Sequence, residues 1–287
     1  MALLISVLVN GAIMGGVYAL MAMGLNTQFG VARILNIAHG EFIVLAAFIT
    51  YSLATTGGMH PLLGMLVAGP IVFGIGYALH ITIFRFSKKQ NESAFEGNAI
   101  LIAFGLYFVV QSSMQQAIGS RYTSLPFMLY SVKVGDADIA AGNLVVLLVA
   151  AVICVVYNIF MSQTRTGKSL RAAAQDPQAA ALVGVKINHV MALCFAIGGL
   201  LAAFAGVLIC MKDSFSATAG LNYTTIAIII VVLGGLGSVK GAILGGFIMG
   251  IVGYAISAYI DTGLMMSVFY LVILVLLIVR PKGLLGR

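Results

Sequence analysis

The sequence contains few charged residues. They occupy 8% of the 287 positions, while hydrophobic residues occupy 61%, and a soluble domain has about 25% charged residues. A water-soluble fold does not have enough polar surface to cover that many apolar side chains. The composition therefore excludes a soluble protein and predicts an integral membrane protein.

The N-terminal region lacks basic residues, because no lysine or arginine precedes Arg33. A secretory signal peptide starts with a positively charged region. The opening stretch is therefore expected to stay in the protein as its first membrane span. It reads MALLISVLVNGAIMGGVYALMAMGL.

A phosphate-binding loop is also absent from the sequence. The pattern GxxxxGK[ST], which cradles nucleotide phosphates, does not occur, and GGLGSVKG at residues 234–241 has a different spacing and no hydroxyl residue after its lysine. The chain is therefore not expected to hydrolyse ATP or to bind a cofactor itself. If ATP drives its activity, then ATP and Mg²⁺ bind to separate partner subunits.

Apolar segments recur along the chain at the length of about 20 residues that a helix needs to cross a bilayer. The pattern predicts an all-α, polytopic transmembrane helix bundle of about eight or nine spans, in a single domain over residues 1–287. The seventh segment has only 16 residues and is a candidate for a broken or re-entrant span. The candidate spans lie near residues 3–27, 34–56, 61–84, 97–118, 142–161, 188–211, 223–238, 241–260 and 264–280.

Basic residues are distributed unevenly between the two sides of this bundle. If all nine spans cross, twelve of the fifteen lysines and arginines share one side, most of them in the loop at 162–187 and near the C-terminus. Positively charged loops stay in the cytosol. The N-terminus is therefore predicted to be periplasmic and the C-terminus cytosolic, and the net charge of +7 is no reason to expect a nucleic-acid partner.

Small residues recur four positions apart in the later spans. Membrane helices associate through close backbone contact, which small side chains permit. The spacing predicts a dense bundle whose helices can shift against each other, as transport requires. The predicted helix-packing residues are Gly198, Ala202, Gly206, Gly237, Gly241 and Gly245.

Three polar residues stand together at the start of the second span, in the stretch LNIAHGEF: Asn36, His39 and Glu41. Such residues at membrane depth face a protein interior or a water-filled cavity. They either hold neighbouring helices together or line a translocation path, and Gly40 indicates a close contact or a local break. An enzyme site is disfavoured because positions two apart on a helix point in different directions. No metal site is expected, because a third ligand is missing.

One polar and basic loop, at residues 162–187, interrupts the apolar sequence near its centre. It contains TRTGKSLRAAAQDPQAAALVGVKIN. Asp176 and Pro177 are typical of the N-cap and first position of a helix, Gly184 is typical of a helix end, and a second short helix is predicted before Asp176. Helices this short are unstable alone in water, so they rest either on anionic lipid or on a cytosolic partner.

Six stretches resemble, in this order, the permease subunits of branched-chain amino-acid ABC transporters, of the LivH-like kind rather than the longer LivM-like kind. The resemblance covers essentially the whole chain, and it implies a multi-pass permease of the bacterial inner membrane. It further implies two cytosolic ATPase subunits, a periplasmic solute-binding protein and a second permease subunit, with a LivM-like paralogue favoured. The stretches are NGAIMGGVYALMAMGL, LNIAHGEF, TGKSLRAAAQDPQAAALVGVKIN, FAIGGLLAAFAGVL, VLGGLGSVKGAILGGF and RPKGLLGR.

In ABC importers a cytosolic loop docks into a cleft of the ATPase, and the resemblance assigns this role to the loop at 162–187. The general importer pattern begins Glu-Ala-Ala, whereas this sequence has Arg171 in place of the glutamate. The coupling residues implied by the resemblance are Arg171, Ala172, Ala173, Asp176, Pro177, Ala180, Leu182 and Gly184.

The resemblance leaves several solutes open, since relatives carry branched-chain amino acids, other amino acids, urea or amides, and small carboxylates. No lysine or arginine lies deep in a span, which favours a zwitterion or a neutral polar solute, and helix ends can meet the charged groups of an amino acid. The expected function is ATP-driven import of branched-chain or other small amino acids, or of related small polar solutes. The alternative is a self-sufficient channel or secondary carrier for a neutral solute such as urea or an amide.

Overall fold

The computed structural model describes residues 2–90, 95–119, 121–135 and 137–286. Within these ranges the chain is mostly helical, and one short antiparallel hairpin is an addition to the predicted all-α fold. Its strands are β1 Ser131–Val134 and β2 Ala137–Ala140. The helices are α1 Ala2–Ala32, α2 His39–Gly57, α3 Gly64–Leu79, α4 Arg85–Gln90, α5 Phe95–Ile118, α6 Ala141–Gln163, α7 Arg165–Gln175, α8 Pro177–Leu182, α9 Ile187–Lys212, α10 Gly220–Gly234, α11 Val239–Tyr259 and α12 Met265–Val279.

Eight of the described helices are long and apolar enough to cross a membrane: α1, α2, α3 with its flanking turns, α5, α6, α9, α11 and α12. Their bounds follow the predicted spans closely, because each apolar run ends in a polar or glycine-rich connection that cannot stay in lipid. The prediction of a polytopic helical bundle is therefore confirmed. With 15 residues, α10 is the exception.

Helix α9 lies at the centre of the bundle, where 83% of its apolar stretch is buried. Its small residues permit this position. A Cβ on Gly206 would collide with the backbone carbonyl of Ile43 in α2, and a Cβ on Gly198 would lie 2.6 Å from the side chain of Gln28 in α1. Ala202, between these two glycines, is fully buried. The neighbouring backbones therefore approach α9 more closely than larger side chains would allow.

Helices α1 and α11 run antiparallel in direct backbone contact. A Cβ on Gly11 would lie 2.7 Å from the Cα atom of Ile251, and a Cβ on Gly15 would lie 2.7 Å from the Cα atom of Phe247. Glycines on α11 return the contact, since a Cβ on Gly246 would lie 2.5 Å from a backbone atom of α1. This pair of helices forms one rigid side of the bundle.

Helix α11 also packs against α10 through two of the predicted small residues. A Cβ on Gly241 would collide with the carbonyl of Gly234, and a Cβ on Gly245 would lie 3.0 Å from the carbonyl oxygen of Ile230. These contacts hold the end of α10 against the start of α11. The short apolar helix is thereby fixed at its C-terminal end.

Gly237 departs from its predicted place on a helix face. It lies in the turn between α10 and α11 with a φ of +82°, a backbone conformation that only glycine adopts readily. Its amide nitrogen donates a hydrogen bond to Oδ1 of Asn26 in α1 at 2.7 Å. The spacing of four residues was misleading here, because the turn geometry and not helix packing requires the glycine.

Residues 213–234 form a non-helical stretch followed by the short helix α10. After α9 ends, Phe215 packs on Phe48 of α2 with ring centroids 4.9 Å apart. Helix α10 begins only at Gly220, beside Gly40 in the first turn of α2, and it ends near the start of α11. The chain thus follows α2 back into the bundle without helical structure before α10 starts, which fits the prediction of a broken or re-entrant seventh span.

Candidate coupling helices and translocation path

Helices α7 and α8 are short, and side-chain caps fix where each one starts. Oγ1 of Thr164 accepts a hydrogen bond at 3.0 Å from a backbone amide in the first turn of α7. Oδ1 of Asp176 accepts hydrogen bonds from the amides of Gln178 at 2.8 Å and Ala179 at 3.0 Å, and Pro177 occupies the first helical position. The predicted break between two short helices is confirmed.

The two helices bury one face and expose the other. Leu170 and Ala173 of α7 and Ala180 of α8 are buried. By contrast, Leu182 is 90% exposed and Val183 is 80% exposed. We call Leu182 and Val183 the apolar tip. Two large apolar side chains in solvent forgo the free energy of burial, so this tip is suited to insertion into a groove on another protein.

The predicted coupling residues differ in what they can contact. Arg171, Asp176, Pro177 and Gly184 are exposed, Ala172 is half-buried, and Ala173 and Ala180 are buried. Nη2 of Arg171 donates a hydrogen bond to the carbonyl oxygen of Ser162 at 3.2 Å, which holds α7 against the end of α6. Gly184 has a φ of +88° and turns the chain after the apolar tip. The buried alanines thus support the loop on the bundle.

Asn36 and His39 both bond to groups on α1. Nδ2 of Asn36 donates to Oε1 of Gln28 at 3.2 Å, and Nε2 of Gln28 donates to the carbonyl oxygen of Phe195 in α9 at 3.4 Å. Nε2 of His39 lies 3.1 Å from the carbonyl oxygen of Met21. These bonds tie the start of α2 to α1 and α9, so both side chains have a structural explanation.

Glu41 lies apart from these two residues. Its side chain is fully buried and points at the start of α10, where a Cβ on Gly220 would collide with its carboxylate. Neither carboxylate oxygen has a hydrogen-bond partner among the described residues. The sequence grouped three polar residues, but the structure brings only two of them to the same helix. The role of Glu41 is therefore not explained by helix packing.

Thr224 on α10 is part of this site and was missed by sequence reasoning. Its Oγ1 accepts a hydrogen bond from the amide of Gly40 at 2.8 Å and donates one to the carbonyl oxygen of Ile37 at 2.9 Å. A single threonine in an apolar run gives no local signal of such a contact. It joins the start of α2 to the start of α10.

The described residues contain no group of three histidines, cysteines, aspartates or glutamates close enough to hold a metal ion. The cysteines Cys154, Cys194 and Cys210 are free and buried. The interior around α2 and α10 therefore offers helix ends, amide groups and one carboxylate. Such groups can bind polar solutes by hydrogen bonds and charge.

The fold resembles a solved structure, PsaBC from Streptococcus pneumoniae in complex with Fab. The TM-score is 0.51 and the identity is 16%, over 95% of this chain and 91% of that chain. At this identity the likeness shows a shared fold only.

Sequence comparison gives closer relatives along the whole chain. The chain is 30% identical to the high-affinity branched-chain amino acid transport system permease protein LivH of Escherichia coli K12, over 97% of this chain and 94% of the relative. It is 30% identical to the corresponding protein BraD of Pseudomonas aeruginosa, over 98% and 95%. Residues 7–280 match the family described as the permease component of the branched-chain amino acid transport system. The chain therefore belongs to that family and is a multi-pass, inner-membrane permease subunit of an ABC importer.

Proposed function

We propose that this permease translocates branched-chain or other small amino acids that a periplasmic binding protein delivers. Both relatives at 30% identity are named for high-affinity branched-chain amino acid transport. No lysine or arginine is among the buried side chains of the described part of the chain, so a fixed counter-charge for an anionic solute is absent, which suits a zwitterion or a neutral polar solute. Transport is driven by two ATPase subunits, which bind ATP and Mg²⁺, and a LivM-like subunit completes the membrane pathway.

The proposed orientation places α7 and α8 in the cytosol and the N-terminus in the periplasm. The loop at 162–187 carries Arg165, Lys168, Arg171 and Lys186, and basic loops stay in the cytosol. Eight spanning helices and the broken crossing through α10 make an odd number of passes, which puts the two ends of the chain on opposite sides. Charge and geometry support the same orientation.

The exposed apolar tip is the observation that best supports coupling of this permease to an ATPase subunit. Leu170 and Ala173 anchor α7 on the bundle, while Leu182 and Val183 stand in solvent. A helix pair held in this way transmits force between the bundle and whatever covers the tip. A groove on an ATPase subunit is the proposed cover, since this chain needs a separate subunit for ATP hydrolysis.

The test uses the transporter assembled with its partner subunits in proteoliposomes. Leu182→Asp adds a charge to the apolar tip without entering the bundle, so it is expected to lower solute-stimulated ATP hydrolysis by at least about tenfold. It is also expected to reduce co-purification of the ATPase subunits. Leu129→Asp, at a position 74% exposed on the opposite end of the bundle, is the matched control and should retain both.

Two outcomes would count against the proposal. Full solute-stimulated ATP hydrolysis in Leu182→Asp would show that the apolar tip does not couple the permease to an ATPase. Uptake of leucine into liposomes that contain only this chain would favour the channel or secondary carrier instead.

A further inference from the structure

The N-terminus of α10 is an uncapped helix end inside the protein. Its first N–H groups have no carbonyl partner within the helix, and Ala219 at the N-cap position provides no side-chain hydrogen bond. Gly220 and Thr224 are buried against the start of α2, whereas Leu221 and Asn222 in the same turn are exposed. The helix end therefore lies between the interior of the bundle and its surface. The end of a 15-residue helix also carries a partial positive charge, which favours an anion.

The buried carboxylate of Glu41 is aimed at this helix end. It lies against Gly220 so closely that a Cβ there would collide with Oε1. Neither of its oxygens has a hydrogen-bond partner among the described residues, and an uncompensated buried charge is strongly destabilising. The helix end and the carboxylate thus have opposite charge and lie close together, but no hydrogen bond joins them.

The backbone amides at the start of α2, in the same place, are hydrogen-bonded by contrast. Oδ1 of Asn36 accepts a hydrogen bond from the amide of Ala38 at 3.2 Å, and Oγ1 of Thr224 accepts one from the amide of Gly40 at 2.8 Å. The amide of Glu41 donates to the carbonyl oxygen of Ala38 at 3.1 Å. Of the two helix starts, only that of α10 therefore has backbone amides left for a ligand.

We propose that the N-terminus of α10 and the carboxylate of Glu41 are the two halves of a binding site for the backbone of an α-amino acid. The helix end binds the solute's carboxylate and Glu41 binds its ammonium group. In the structure the carboxylate of Glu41 lies against Gly220 at this helix end, where the solute's carboxylate would bind. This inference rests on the proposed import of amino acids and assigns the residues that meet the solute in the membrane.

Opening the site requires α10 to move away from α2. The start of α10 follows the non-helical residues 213–219, whereas its end is held firmly. The amides of Leu284 and Leu285 donate to the carbonyl oxygens of Leu233 at 2.8 Å and Gly234 at 3.1 Å. A pivot of α10 about this end would break the hydrogen bonds of Thr224 with Gly40 and Ile37 and would part the helix start from Glu41. An entering zwitterion then replaces one carboxylate with another at no net change of charge.

The inference is tested on the complex of both permeases and both ATPases, purified without the binding protein. Thermal unfolding is measured against increasing L-leucine, 4-methylpentanoate, which lacks the ammonium group, and L-leucinamide, which lacks the carboxylate. L-Leucine is expected to stabilise the complex and the two analogues are not. Glu41→Gln should raise the half-saturating leucine concentration at least about tenfold, whereas Asp138→Asn, on the exposed hairpin, should leave it unchanged.

Glu41→Asp keeps the charge and should retain part of the leucine response, which separates loss of binding from loss of folding. The inference is overturned if Glu41→Gln responds to leucine like the unsubstituted complex, if 4-methylpentanoate stabilises as well as leucine, or if leucine has no effect. Solute-stimulated ATP hydrolysis with the binding protein present is measured in parallel. If the unsubstituted complex shows no solute-stimulated ATP hydrolysis, the proposed function is refuted. If it shows this activity together with any of the three overturning results, only the proposed binding site is refuted.

Discussion

At the residue scale, glycines determine how closely the starts of α2 and α10 approach each other. A Cβ on Gly40 would collide with the carbonyl oxygen of Gly220 in α10. Because that obstacle is backbone, a rotamer change cannot relieve it. The sequence indicated a close contact or a local break at Gly40. The contact partners Gly220 and Thr224 lie about 180 positions away, and no local pattern connects residues so far apart.

We expect Gly40→Ala to destabilise the protein by about 1–3 kcal/mol, since the added methyl group overpacks a tight site. The measurement is the thermal unfolding midpoint of the purified complex. Gly74→Ala is the matched control, because nothing lies within 4 Å of its Cβ position. An unchanged midpoint for Gly40→Ala would contradict the contact between α2 and α10.

At the scale of elements, some helix ends are determined by nearby residues in the sequence and others by distant residues. The break between α7 and α8 was predictable because Asp176 and Pro177 lie within the loop itself and each has one geometric role. The start of α7 was predicted three residues late, because the cap formed by Thr164 was overlooked. The start of α10 was not predictable from nearby residues, because contacts with α2 and with the non-helical residues after α9 determine it. The hairpin was missed because its strands have four residues each, too few to show an alternating pattern.

Loss of the Asp176 cap should loosen α8 without unfolding the bundle. Asp176→Ala removes two hydrogen bonds to amides and is expected to cost about 1 kcal/mol. The amides of Gln178 and Ala179 should then exchange with deuterium on the order of fivefold faster.

Asp261→Ala serves as the control for this exchange measurement. Asp261 accepts a hydrogen bond from the amide of Gly263 at 2.6 Å, at the other end of the bundle. Loss of this hydrogen bond should speed deuterium exchange only at backbone amides near Gly263. Equal exchange at Gln178 with and without Asp176 would show that the cap does not stabilise α8.

At the scale of the whole molecule, the bundle is built around α9. The number of spans was predictable because apolar length is visible in the sequence. Which helix is central was not, since the mean hydropathy of α9 is 2.5 and that of the peripheral α6 is 2.9. Only 6% of the apolar stretch of α12 is buried, so much of its apolar surface remains for lipid or for the proposed second permease.

The central claim is that the apolar tip lies in the cytosol and inserts into an ATPase subunit. The most direct measurement is labelling of Leu182→Cys with a membrane-impermeant maleimide, against a low background because the native cysteines are buried. Labelling is expected in inside-out vesicles and not in spheroplasts, and it should slow when the ATPase subunits are present. Labelling from the periplasmic side, or an equal rate with and without those subunits, would contradict the claim.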